Sequence, residues 1–165
     1  MTTILGTKPR PASPATGVDG ERALATALGG TLADTYRLMF KTHAYHWNIT
    51  GPLFYSLHKL TEAQYEDLFA AADVLAERIR ALGQLTAMRF ADIAEGSVLG
   101  DLDQPPDAGH MVDDLRADHE TVATRMHELA ALAEEHGDIV TADIATQRST
   151  VHEKAAWMLR AIVTG

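Results

Sequence analysis

At 165 residues, with 46% hydrophobic but only 6% aromatic side chains, the chain suits a single domain whose core is built from alanine-rich, closely packed helices. A formal charge of −9 excludes a surface built throughout for nucleic acid and favours cations over phosphates. The absence of cysteine excludes disulfides and thiolate metal sites. No signal-like apolar segment or membrane-length run is visible, so a cytoplasmic protein with no membrane partner is expected.

Residues 1 to 17 are rich in Thr, Pro, Ala and Gly without periodicity, and read as a flexible tail before one domain spanning 18 to 165. From residue 19 to 48 the apolar spacing is helical, with Leu28, Leu32, Met39 and His46 in phase. Gly51-Pro52 interrupts it, and a second helix is expected over 53 to 82, closed by Gly83. The stretch 84 to 108 is irregular, with a short helix near 88 to 94 and then Gly96, Gly100 and Pro105-Pro106. A third helix, 111 to 135, spaces Val112, Leu115, His119, Val122, Met126, Leu129 and Ala133 by alternating threes and fours, a bundle seam. Gly137 ends it. A fourth helix, 138 to 163, is expected to turn Val140, Ile144, Val151, Ala155, Met158 and Ile162 inward. Four long helices and one long connection predict an all-α, antiparallel four-helix bundle whose crossover carries the short extra helix.

The second helix carries the chemistry. On a helical wheel Leu57, Leu68, Ala71, Leu75 and Leu82 fall within roughly 40° of one direction, the bundle face. His58, Glu62, Asp73 and Glu77 centre roughly 150° away. His58 and Glu62 share one turn, as do Asp73 and Glu77. Glu62 and Asp73, however, stand about 16 Å apart along the axis, too far to hold one ion or a pair about 4 Å apart. A solvated charged face is the plain alternative. Against it, the same face carries Tyr55 and Phe69, and its carboxylates sit at ligand spacing with histidine rather than in pairs with lysine. An antiparallel second copy, with its two-fold axis near residues 67 and 68, brings His58 and Glu62 of one chain to Asp73 and Glu77 of the other. Two identical sites per dimer result, with His46 nearby. Oxygen-rich ligands with one or two imidazoles suit iron or manganese more than structural zinc. A metal centre inside one bundle is disfavoured, because no histidine except His110 has a carboxylate three residues before it.

These residues resemble the Dps proteins (DNA-binding proteins from starved cells, or mini-ferritins) over roughly residues 20 to 163. The resemblance rests on His46-Trp47-Asn48, Gly51, Phe54, His58, Asp73, Ala76-Glu77-Arg78 and Leu82-Gly83, with further matches at 138 to 143 and 153 to 161. It implies a ferritin-like bundle and a hollow homo-dodecamer built from two-fold dimers. It further implies a ferroxidase that oxidises Fe(II), with hydrogen peroxide as oxidant, at inter-subunit sites holding two iron ions, and stores the ferric mineral inside. His46, His58 and Glu62 would come from one subunit, and Asp73 and Glu77 from its partner. Glu62 departs from the aspartate of the best-known members by one methylene. Trp47 would supply or trap an electron, although a core anchor would look the same in sequence. Asp138 and Asp143 match an acidic three-fold pore for incoming iron, while helix capping explains Asp138 equally well.

Among the remaining residues, His43 is a candidate accessory ligand. His119 reads as a hydrogen-bonded core histidine, and His127, His136 and His152 as surface positions. Trp157 reads as packing, and Glu134-Glu135 as solvent-facing. A DNA-compacting protein with secondary iron binding is the alternative function, but only Lys8 and Arg10 lie in the tail, so DNA binding and nucleoid association are not expected. A purely scaffolding oligomer would leave the ligand face without a purpose.

Overall fold

The computed structural model describes residues 4–163. After a 3-10 turn at Ile4–Gly6 come α1 (Glu21–Asn48), α2 (Phe54–Ala81), the short α3 (Phe90–Gly96), α4 (Ala108–Glu135) and α5 (Ile139–Val163), with no strand among the described residues. α1 packs on α2, and α4 on α5, as two hairpins; α1 also packs on α4, and α2 on α5, which closes the bundle. The long connection between the hairpins carries α3, which rests on α1. α4 begins three residues earlier than the periodicity suggests. The cause is Asp107, whose carboxylate accepts the His110 backbone N–H at 2.9 Å and caps the first turn.

Helix ends follow from glycine. At the end of α2, Gln84 N–H bonds Ile79 O at 3.1 Å, and Gly83 adopts φ +79° between them, the left-handed closure that satisfies orphan carbonyls. A side chain at Gly83 would also collide with the incoming chain, since a Cβ there would lie 2.2 Å from Ala12 O. Ala12 N–H in turn donates to Gly83 O at 2.8 Å, which fastens the segment before α1 to the foot of α2.

Along α1, Leu28, Leu32 and His46 are buried as expected, and Met39 is partly buried. All five expected α2 positions and all seven of the α4 seam are buried. α5 differs. Its buried stripe is Thr141, Ala145, Ser149, His152, Ala155, Ala156 and Leu159, while Val140 is half exposed and Ile144, Val151, Met158 and Ile162 are only partly covered. His152, read from sequence as a surface residue, is wholly buried, and Trp157, read as packing, is 63% exposed. The stripe's polar members have partners: His152 Nδ1 lies 2.9 Å from His119 Nδ1 of α4, and Thr141 Oγ1 accepts from Arg78 Nε of α2 at 2.9 Å. Hydrophobicity therefore does not mark its inner face.

Two buried charged clusters tie the elements together. Lys41 of α1 lies 3.0 Å from Asp114 and 2.6 Å from Asp118 of α4, and the Tyr45 hydroxyl donates to Asp114 at 2.6 Å. Burial, then the Asp114 carboxylate, push the Tyr45 phenol well above its usual range. Asp34, fully buried on α1, accepts from Ser97 Oγ at 2.8 Å and Val98 N–H at 2.9 Å, and its other oxygen meets Arg125 Nε at 3.0 Å. One carboxylate thus anchors the crossover to both hairpins.

Candidate metal centre

The tight turn between α1 and α2 sets His46, in the last turn of α1, against His58, near the start of α2. Their rings stack with centroids 3.7 Å apart at 18°. Each Nδ1 approaches the other residue's backbone carbonyl: His46 Nδ1 to His58 O at 2.9 Å, and His58 Nδ1 to His46 O at 3.1 Å. A carbonyl can only accept, so each Nδ1 is the donor, and in the neutral ring each Nε2 keeps its lone pair. That is the arrangement of metal-binding imidazoles, in which the second nitrogen is fixed by a hydrogen bond that sets tautomer and orientation. Thr61 steadies it: its hydroxyl donates to Leu57 O at 2.8 Å and sits 3.4 Å from His46 Nδ1. His46 is buried and His58 half-buried.

Glu62 lies one turn beyond His58. The Lys59 ammonium, 2.5 Å from its carboxylate, holds that carboxyl below the usual range, opposed by burial and helped by the nearby His46 and His58. This pairing departs from the expectation of a ligand face free of lysine. Lys59 sits three residues before Glu62, on the same helix edge. Asp73 and Glu77 are exposed further along α2, on a surface that also leaves Tyr55 71%, Phe69 63% and Val74 47% exposed. The chain pairs His46 with His58 and sets Glu62 near enough for both rings to lower its carboxyl pKa, while Asp73 and Glu77 stand further along α2. Among the described residues, no three His, Asp or Glu side chains gather closely enough to hold a metal ion within one chain.

His43 does not join the imidazole pair; it lies between two other rings, 4.1 Å from Trp47 and 4.0 Å from Tyr65. Trp47 is 60% exposed. Tyr65, absent from the sequence reading, also meets His46 edge-on at 5.2 Å. Its position three after Glu62, on the ligand face, is the signal that marks it. Of the two aspartates expected at a pore, Asp138 is buried. It accepts from Arg78 at 2.7 Å, Thr141 N–H at 2.9 Å and Thr141 Oγ1 at 2.5 Å, the contacts of a helix cap. Those bonds hold its carboxyl below the usual range, although burial opposes them. Asp143 is exposed and accepts from Gln147 at 2.6 Å.

A family model of the ferritin-like domain matches residues 25–165. A low temperature-induced protein of Nostoc is 38% identical over 145 residues, spanning 84% of this chain and 78% of that one. DNA protection during starvation protein 2 of Bacillus anthracis is 31% identical over 136 residues, spanning 82% and 93%. Among solved structures, the DPS protein of Vibrio cholerae O1 superposes with a TM-score of 0.87 at 28% identity, covering 95% of this chain and 100% of that one. That structure is described as a member of a broad superfamily of ferritin-like diiron-carboxylate proteins.

Proposed function

Since the chain belongs to the Dps group of the ferritin-like family, we propose that it is an iron-sequestering ferroxidase that works at sites shared between two-fold-related subunits. In this reading His46, His58 and Glu62 of one subunit and Asp73 and Glu77 of the partner subunit take up two Fe(II) ions as substrate. Each ion gives one electron to the same peroxide, whose O–O bond breaks; two protons complete two waters, and no hydroxyl radical is released. Carboxylates favour the ferric product, and imidazoles retain ferrous iron beforehand. The product passes into a cage of twelve subunits as mineral, which protects a cytoplasm under oxidative stress. Asp143 lies at the surface where incoming iron is drawn; Asp138 supports the same end of α5 from beneath.

The observation that carries this reading is the reciprocal imidazole pair, with both Nδ1 atoms occupied by backbone carbonyls, so that both Nε2 lone pairs are left for a cation. The exposed Phe69 and Val74 beside Asp73, with Tyr55 further along the same face of α2, support an apposed second copy, because a surface of that kind favours burial. Replacing His58 and Glu62 together by alanine is expected to abolish rapid Fe(II) oxidation and leave the bundle folded, since neither side chain is part of the bundle core. Stopped-flow absorbance of the ferric product checks this, and an unchanged initial rate would overturn the reading.

A further inference from the structure

Away from the iron site, the bundle buries polar atoms that the described residues do not satisfy. His119 and His152 spend their Nδ1 atoms on each other, and both Nε2 atoms are buried without a hydrogen-bond partner. Gln64 of α2 has both ends of its amide, Oε1 and Nε2, in the same condition. A buried donor or acceptor left unpaired costs free energy, so a cluster of them marks a place where something else supplies the bonds. Gln64 and His119 share the wall of a cleft of about 250 Å³ between α2, α4 and α5. Leu60, Leu68, Val151 and Met158 supply most of its apolar lining. His119, only 1% exposed, lies at the floor, and the exposed Lys154 stands at the mouth. Lys41 and Lys59 each meet a carboxylate, whereas Lys154 meets none among the described residues. Asp67, also in the wall, is already held by Arg148 at 2.7 Å.

Water alone suits such a cleft badly. Filling it would take about eight molecules at about 30 Å³ each, every one seeking two to four polar partners, and most of the lining is apolar. Drug-sized molecules occupy pockets of about 300–1,000 Å³, so the occupant is smaller than a nucleotide. We propose that the cleft binds a small hydroxylated organic acid. Its carboxylate pairs with the Lys154 ammonium at the mouth, and its apolar body lies against Leu60, Leu68, Val151 and Met158. Its hydroxyl reaches the floor. Which of the two imidazoles donates through Nδ1 decides whether His119 Nε2 carries a proton or a lone pair, and a hydroxyl, which both donates and accepts, suits either state. The Gln64 amide likewise offers one donor group and one acceptor. Gln64 stands two residues after Glu62, hence on another face of α2, so the cleft shares no side chain with the iron site.

The test uses the full-length, iron-free protein and titration calorimetry with para-hydroxybenzoate, benzoate, which lacks the hydroxyl, and phenol, which lacks the carboxylate. Para-hydroxybenzoate is expected to saturate one site per subunit below the millimolar range, with the other two compounds bound several-fold more weakly. Lys154→Gln should weaken para-hydroxybenzoate and benzoate several-fold and leave phenol unchanged. Gln64→Leu should weaken para-hydroxybenzoate and phenol and spare benzoate. Lys154 is exposed, so its replacement leaves the fold intact and decides alone if Gln64→Leu does not fold. Absence of saturable binding, equal affinity for the three compounds, or an affinity for para-hydroxybenzoate that survives either variant unchanged overturns the proposal. No iron enters the titration, so its outcome stands apart from that of the iron-site reading.

Discussion

The paired imidazoles of His119 and His152 face each other through Nδ1 in the middle of the bundle, so one ring donates and the other accepts, and neither can be charged without loss. Burial pushes His119 down to about 4, with Arg148 adding repulsion and Asp67 opposing it. Burial, then His119 and Arg148, push His152 well below its usual range. The sign follows from linkage. The unfolded chain takes up these protons near pH 6.5, while the folded chain resists until much lower pH, so stability is full above 6.5 and falls as the pH drops toward 4. Between pH 6 and 4.5 the unfolding free energy is expected to decline with a slope approaching about two protons from this pair. Chemical denaturation across that range checks it, and His119→Leu with His152→Leu should flatten the slope. An equally steep slope in the double variant would place the acid sensitivity elsewhere.

Among the elements, the crossover depends on one side chain. Asp34→Ala removes the acceptor for Ser97 and Val98 and leaves Arg125 without its carboxylate. Arg125 is partly exposed and can rehydrate, so the cost should fall near about 3 kcal/mol, the lower end for breaking a buried pair. Urea unfolding measures it, and limited proteolysis should cut first between residues 84 and 107; a loss under about 1 kcal/mol would mean that other contacts anchor the crossover. α2 and α4 were legible in the sequence because leucine, valine and methionine mark their inner faces, and glycine marks their ends. α5 was legible in extent but not in phase, since its core stripe is threonine, serine, alanine and histidine. The imidazole pair was legible as residue types. Its reciprocal bonds were not, because they depend on the carbonyls of a turn. Lys59 stands three residues before Glu62, a spacing at which opposite charges pair on a helix, so that contact was legible as well. Asp34 carried no local sign: its partners lie more than sixty residues away.

At the scale of the whole molecule, the proposed function requires more than one chain. A variant lacking Asp73 and Glu77 and a second lacking His58 and Glu62 should each be inactive. Refolded together in equal amounts, random pairing makes about half the dimers mixed, each with one intact site and one stripped, so about a quarter of the activity should return. Properly mixed assemblies with no activity would argue against ligands from different chains. Charge decides a second question. With −9 on every subunit, repulsion of phosphates should outweigh the few cationic groups near the N-terminus at moderate salt. Plasmid gel-shift at neutral pH is expected to show no stable retardation, and retardation at micromolar protein would mean that repeated N-termini prevail by avidity.

The hydrogen bond between Ala12 and Gly83 bears on that contest through length alone. A chain held at residue 12 is a leash with its post at the foot of α2. Even drawn straight, the four residues from there to Lys8 reach only about 14 Å, and Arg10 about half as far. Neither cation can swing out to search for a duplex or span the gap between neighbouring assemblies. Each is confined to a small cap of surface around Gly83, where it meets only what the acidic body has already allowed to approach.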